Sequence, residues 1–262
     1  MAKGSAIVLG DKTRIPIIYE DSVVLAVDKP AGWMLAPSHW DRTSRNLQRA
    51  LESSIQAGAF WARTRRLHYL RFIHRLDADT SGALLLARSP AALRAMSRLF
   101  AQNRVQKLYL AVVQGHPEQA EWTCDVPIGR QPGVTGKMQP YGIEPKRAFT
   151  SFTLLQTKND SALVLAQPRT GRTHQIRVHL AASGLPILGD PLYNTQSSRQ
   201  GPLGLRSMRL AYRCPRRHHQ VAVQAPCEQF LLQFGFDPCA VQAIAHDHKV
   251  FFPPAAGLQA GR

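Results

Sequence analysis

The chain has 262 residues, with 33 lysines and arginines against 17 acids, for a formal net charge of +16. That length suits one large domain or two small ones with a buried core, and an apolar share of 44% excludes a fibrous or wholly disordered chain. No apolar run approaches the roughly 18 residues of a membrane span. The start, MAKGSAIVLGDKTR, lacks a signal-peptide cleavage pattern, so the cytoplasm is the expected compartment. The positive charge runs along the whole chain, which points to a polyanionic partner, because neutralised phosphates release counterions. Charge alone does not separate DNA, RNA and anionic lipid, or exclude an ordinary basic enzyme.

In chain order, residues 1–13 read as a loose basic arm. IPIIYEDSVVLAVDKPAGW reads as two short strands around Glu20 and Asp21, closed by KPAG. From 43 to 66 the pattern is helical but broken, with arginines at 42, 45, 49, 63, 65 and 66. In HRLDADTSGALLLARS, Asp77 and Asp79 precede Thr-Ser-Gly and an apolar run that reads as a buried strand. Ser89 and Pro90 suit the cap and first turn of a helix carrying Leu93, Met96, Leu99 and Phe100 at helical spacing. QKLYLAVVQG alternates as a strand, with Tyr109 and Lys107 on one face. Residues 128–148, rich in Gly, Pro and basic groups, read as a long mobile loop. FTSFTLLQT and SALVLAQP are two further strands. In GRTHQIRVHLAASG, Thr173 suits an N-cap, and Gly184 with Pro186 suits a stop. Beyond Ser207 the signal weakens to one candidate strand, VAVQAP. The pattern is α+β, with a mixed, mostly antiparallel sheet and flanking helices.

Three segments carry candidate chemistry. If 74–77 is extended, Arg75 and Asp77 share a side, and the arginine holds the carboxylate ionised. An aspartate ahead of a rigid strand is a good seat for catalysis, though a turn aspartate bonded to Thr80 or Ser81 amides is the bland alternative. On the GRTHQIR helix, His174 and Arg177 are three apart and share a face, whereas His174 and His179 do not, which disfavours a metal clamp. Arg169, Arg172 and Arg177 converge as phosphate contacts do. Tyr109 is either a core aromatic or a platform for a nucleobase. Cys124, Cys214, Cys227 and Cys239 show no trusted ligand spacing and read as reduced thiols; no metal is expected.

Together, HRLD..TSG, K.Y.AVV.G and RTGRTHQIRVHLA..G.PI.GD..Y, in that order, resemble the RluA family of RNA pseudouridine synthases. YEDSVVLAVDKPAGW is similar to that family's N-terminal motif, and the likeness covers 17–193. The resemblance implies a pseudouridine-synthase catalytic fold and a cofactor-free isomerase that detaches uracil from its ribose, rotates it and rejoins it through C5. By the same match, Asp77 is the catalytic aspartate, and Tyr109 stacks on uracil and is a candidate to take the C5 proton. Arg177 pairs with Asp77, while Arg75 helps extrude the target uridine. His74, Thr80, Lys107, Arg172 and His174 complete the substrate-binding set, Ile187 and Leu188 line the base pocket, and Gly189 and Asp190 shape its rim. The expected domains are the arm 1–13, the catalytic domain 14–212, and a C-terminal extension 213–262 that packs on it before fraying. No separate small RNA-binding module is expected before Ile17, so residues 42–66 and 129–147 and the tail would select the RNA. The expected partner is ribosomal or transfer RNA, with no membrane, no obligate protein partner and a monomeric chain. A non-catalytic RNA-binding protein, a glycosylase using Asp77 to activate water, and, more remotely, a metal-dependent nuclease are the alternatives.

Overall fold

The computed structural model describes residues 4–35, 45–195 and 201–242. It opens with an antiparallel meander of β1 (Ala6–Val8), β2 (Arg14–Glu20) and β3 (Val24–Lys29). Within the expected loose arm 1–13, residues 6–8 are therefore a paired strand. Ile7 is fully buried in the core, and its strand pairs with β2. The broken helical pattern becomes α1 (Leu47–Gln56), capped by Asn46, and the short α2 (Phe60–Arg63); Arg42 lies outside the described residues. β4 (Arg71–Phe72) precedes the segment of Asp77, and β5 (Ser81–Ala87) is the buried apolar run. Ser89 caps α3 (Pro90–Ala101), accepting from the Ala92 amide at 3.1 Å. In β6 (Val105–Gln114), Tyr109, Ala111 and Val113 pack on one face of the sheet and Leu108, Leu110 and Val112 on the other.

After β7 (Glu121–Cys124), the expected mobile loop is instead a second, three-stranded antiparallel sheet of β8 (Ile128–Arg130), β9 (Met138–Pro140) and β10 (Ile143–Lys146). Its strands are short and lack apolar alternation, so periodicity gives no signal. Glycines let them meet: a Cβ on Gly129 would lie 2.4 Å from the backbone of Gly142. β11 (Thr150–Lys158), β12 (Ser161–Pro168), α4 (Gln175–Ala182), β13 (Leu205–Arg213), β14 (Gln220–Gln224), α5 (Glu228–Phe234) and a 3-10 turn (Pro238–Val241) follow.

Among the described residues the main sheet has eleven strands in the order β1-β2-β3-β5-β13-β6-β12-β11-β7, with β14 beside β13 and β4 beside β5. The β5–β13 pairing is parallel and its neighbours are antiparallel, so the sheet is mixed and mostly antiparallel. β13 is central, yet LRSMRLAYR carries buried arginines that disguise it as a solvent strand. Arg206 is neutralised by Asp28 at 2.8 Å and also bonds Ser81 Oγ and the Pro226 carbonyl. The expected boundary at 212/213 thus cuts a hairpin whose first strand is the middle of the sheet. Residues 213–242 belong to the same packed body, with Phe230, Leu231 and Phe234 packed on the Leu108–Leu110–Val112 face. The expected fraying of FFPPAAGLQAGR lies outside the described residues.

Two contacts fix the turn between Asp77 and β5. Gly82 has φ +110, and a Cβ there would stand 2.2 Å from the Ser207 carbonyl oxygen, so the parallel strands meet only without a side chain. Lys29 is fully buried, and its ammonium donates to the carbonyls of Pro30 (3.0 Å), Ala78 (2.7 Å) and Thr80 (3.0 Å). Burial lowers its pKa from 10.5 to about 8, with Asp79 and Asp77 opposing.

Gly82→Ala should destabilise the fold by about 3 kcal/mol or more, measured by urea unfolding, because the obstacle is backbone. Lys29→Met should cost about 2–4 kcal/mol at pH 7 by orphaning buried carbonyls. Since the folded pKa of Lys29 lies below the unfolded one, the unfolded chain holds this proton more tightly between about 8 and 10.5. Wild-type stability therefore gains on the Met variant as pH rises through that window, and the gap between them widens.

Candidate active site

Asp77 sits on the connection from β4 to β5, whose course the backbone dictates. The Thr80 amide donates to the Asp77 carbonyl at 3.2 Å, the Gly32 amide to Ala78 at 2.9 Å, and Lys29 grips the same turn from below. His74 anchors its start: Nε2 accepts from the Leu85 amide at 3.0 Å, and the ring stacks on Phe100 at 4.9 Å. Burial brings this imidazole down to about 3, so it is neutral at physiological pH.

The second wall is the loop before α4. Gln175 holds it, accepting from Thr170 Oγ1 at 2.7 Å and the Arg172 amide at 2.9 Å, and donating to the Phe149 carbonyl and Thr150 Oγ1 at 3.0 Å each. The residue preceding the helix is His174, not Thr173. It adopts left-handed φ 55, ψ 19 and makes no side-chain cap, leaving its imidazole free to face Asp77. Gly184, at φ +74, ends the turn beyond Ala182 as expected. His179 points elsewhere, bonded to Thr150 Oγ1 at 2.9 Å and the Val126 carbonyl at 3.0 Å, and is structural.

Arg177 joins the two walls. Its Nε and Nη2 bond both oxygens of Asp190 at 2.8 Å, and its Nη1 reaches Asp77 Oδ2 at 3.2 Å. Asp190 is completely buried and also accepts from the Leu192 and Tyr193 amides. Burial by itself disfavours the Arg177 charge, but Asp190 and then Asp77 more than restore it and raise its pKa. His174 Nε2 lies 3.8 Å from the same Asp77 oxygen. Among the described residues, Arg75 makes no ion pair with Asp77. It is exposed at the cleft wall, because the turn does not continue as the extended strand that would put both on one side.

A cleft of about 400 Å³ results, lined by Asp77, Tyr109 and Arg177 together with His74, Arg75, Thr80, Lys107, Arg172 and His174. Three contributions set its chemistry. Burial pushes the Tyr109 phenol well up, so it is neutral in the resting site. Burial pulls Lys107 down to about 8, with Arg172 adding to the effect, while its ammonium bonds the Thr170 carbonyl at 2.7 Å. Thr80 Oγ1 is buried with no hydrogen-bond partner among the described residues, a polar atom in the wall.

Two expected lining residues are elsewhere. Ile187 is fully buried and forms a bridge with Val113, and Leu188 is on the opposite face, its amide on the Val112 carbonyl. The segment is drawn into the sheet because Gly189 abuts Pro202, where a Cβ would lie 2.2 Å from the carbonyl oxygen. Asp190 likewise holds Arg177 and does not shape a rim. Ile73, Leu76, Phe100, Ile176 and Leu205 supply the apolar lining. Residue spacing gave no hint of Lys29, Gln175 or Tyr193, although each lies within a motif segment. Among the described residues no group of His, Cys, Asp and Glu could hold a metal, and the cysteines are free, with Cys239 exposed.

The family model described as RNA pseudouridylate synthase matches residues 23–182. An uncharacterised RNA pseudouridine synthase of Zymomonas mobilis is 35% identical over 68% of this chain and 78% of its own length. Ribosomal large subunit pseudouridine synthase D of Borreliella burgdorferi is 35% identical over 68% of this chain, which spans 54% of that relative's length. Among solved structures, human RNA pseudouridylate synthase domain containing 1 superposes with a TM-score of 0.65 at 30% identity, covering 82% of this chain and 84% of that one. Human RNA pseudouridylate synthase domain containing 4 shares the fold, with a TM-score of 0.64 at 24% identity. A family match over more than half the chain, on a fold that unites the three motifs in one cleft, leaves one conclusion: this chain belongs to the RNA pseudouridylate synthase family.

Proposed function

We propose that this chain converts uridine to pseudouridine in structured RNA, with Asp77 as its catalytic carboxylate. The observation that carries the reading is the meeting of Asp77, Arg177 and Tyr109, from three distant segments, in one cleft. The Asp77 carboxylate either attacks C1′ as the N1–C1′ bond breaks or removes the C2′ proton as that bond breaks. Uracil then turns within the cleft, and C5 bonds to C1′ as the Asp77–C1′ bond breaks on the first route or as the proton returns to C2′ on the second; the C5 proton leaves to solvent and N1 takes one up. Because the uridine lies within a polymer, it must first leave its stack. Arg75, exposed at the cleft, suits the space it vacates. The Tyr109 ring supplies the stacking wall, and its raised pKa favours that role over acting as a base in the resting site. Thr80 and His74 face the base, while Lys107 and Arg172 suit the flanking phosphates.

The small sheet supports RNA contact. It exposes Val134, Tyr141 and Ile143 together with Lys146 and Arg147, the mix of aromatic and basic groups that single-stranded or looped RNA favours. The name of the Borreliella relative makes ribosomal RNA the first substrate to try and transfer RNA the second. No helix among the described residues is long and apolar enough to cross a membrane, and an RNA substrate would place the work in the cytoplasm.

Tritium release from RNA labelled at uracil C5 tests the reaction. Wild type should release label without free uracil, and Asp77→Asn should lower the rate by about 10³-fold or more. Free uracil would make the protein a glycosylase. No release by folded protein that still binds RNA would make it a binding protein. For the small sheet, the double variant Lys146→Gln, Arg147→Gln should weaken all RNAs alike and reduce the slope of log affinity against log salt by roughly 1.5, as two lost phosphate contacts require. An unchanged slope would remove this sheet from the interface.

A further inference from the structure

The least expected feature of the cleft is the route by which β9 reaches Asp77. The Met138 amide donates to the Tyr193 hydroxyl oxygen at 3.0 Å. That oxygen lies 2.9 Å from His174 Nδ1, and His174 Nε2 lies 3.8 Å from Asp77 Oδ2. The Tyr193 ring meets the imidazole edge-on, with centroids 5.7 Å apart and planes at 78°, and lies under the Arg177 guanidinium at 5.1 Å. The Tyr193 amide is held by Asp190, the carboxylate that also holds Arg177. One aromatic side chain therefore touches both groups, the guanidinium and the imidazole, that face Asp77.

The Met138 end limits how the hydrogens of this chain can be arranged. A backbone N–H only donates, so Met138 occupies one lone pair of the Tyr193 oxygen. The hydroxyl still has its proton to place, and His174 Nδ1 is the other polar atom within reach among the described residues, so donation to Nδ1 is the arrangement that uses that proton within the chain. A neutral imidazole that accepts at Nδ1 carries its proton at Nε2, the nitrogen facing Asp77. Burial lowers the His174 pKa, with Asp77 opposing, which agrees with a neutral ring. Arg177 Nη1 donates to Oδ2 at 3.2 Å, the imidazole N–H faces the same oxygen from 3.8 Å, outside hydrogen-bond range in the free site, and no described residue donates to Oδ1. The left-handed backbone at His174 is what brings the ring there.

We propose that Tyr193 and His174 are positioning residues. Tyr193 fixes His174 as the Nε2–H tautomer, and that N–H, with Arg177, orients the Asp77 carboxylate so that Oδ1 meets the sugar. The proposal rests on the synthase reading of the cleft. Neither residue exchanges a proton with the substrate, and a hydroxyl on the far side of the histidine controls the carboxylate through a tautomer.

The tautomer is read on free protein by long-range proton–nitrogen correlation of the imidazoles, with His174 assigned from the spectrum of His174→Gln. Wild type should show His174 protonated at Nε2 and bare at Nδ1, and Tyr193→Phe should show both tautomers. In tritium release, Tyr193→Phe should lower kcat about tenfold with the KM for RNA within about twofold. His174→Gln, which keeps an amide N–H near the place of Nε2, should exceed His174→Ala by about tenfold in kcat. A wild-type Nδ1–H tautomer overturns the lock. Equal kcat for the Gln and Ala variants, or a loss confined to KM, overturns the positioning role and makes His174 a substrate contact. No release by wild type from any RNA would sink the synthase reading, and the positioning role with it, while the tautomer still decides the lock.

Discussion

The bidentate bond from Arg177 to Asp190 is the interaction on which the cleft depends. A guanidinium can be buried only with its charge and donors satisfied, and Asp190, itself bonded by two backbone amides, provides both. With Arg177 anchored there, its remaining nitrogen has one place to go, Asp77. The cluster of two carboxylates and one guanidinium keeps a net negative charge, and Asp77 is its exposed member, with 17% of the side chain accessible against none for Asp190. The site thus presents a carboxylate to the cleft while the charge that holds it stays out of water.

The sheet supplies rigidity beneath this cluster. β13 enters between β5 and β6, and its parallel contact with β5 begins at Ser81 and Gly82, soon after the turn that carries Asp77. Lys29 and Arg206, two buried cations from neighbouring strands, bond the carbonyls and the hydroxyl of that turn. Asp77 therefore stands on backbone held at both ends, and the stable core and the geometry of the cleft share the same contacts. The positive charge that marks the composition is divided accordingly. Arg177, Arg206 and Lys29 are structural and buried, whereas Arg75, Arg172, Lys146 and Arg147 are exposed and available to a polyanion.

Much of this was legible in the sequence because it rests on local rules. The Ser89 cap, the alternation through Tyr109, the strands flanking Glu20 and the motif order all follow from periodicity, turn chemistry and resemblance. The gathering of Asp77, Tyr109 and Arg177 was anticipated by the motif order and realised in one cleft. The sequence itself determined the identity of these elements, the net positive charge and the family.

Tertiary structure decided what depends on distant partners. LRSMRLAYR is a central strand because Asp28 neutralises Arg206, a pairing 178 residues apart that no window reveals. The small sheet forms because Gly129 and Gly142 let short polar strands meet, and residues 6–8 are an edge strand because β2 offers them a partner. Ile187 and Leu188 went to the core because apolar residues beside a site carry no label saying which side of the sheet they take. Arg75 left Asp77 to Arg177 and His174 because side-chain direction in an irregular turn follows the contacts of the whole fold, whereas the two-residue period governs only strands.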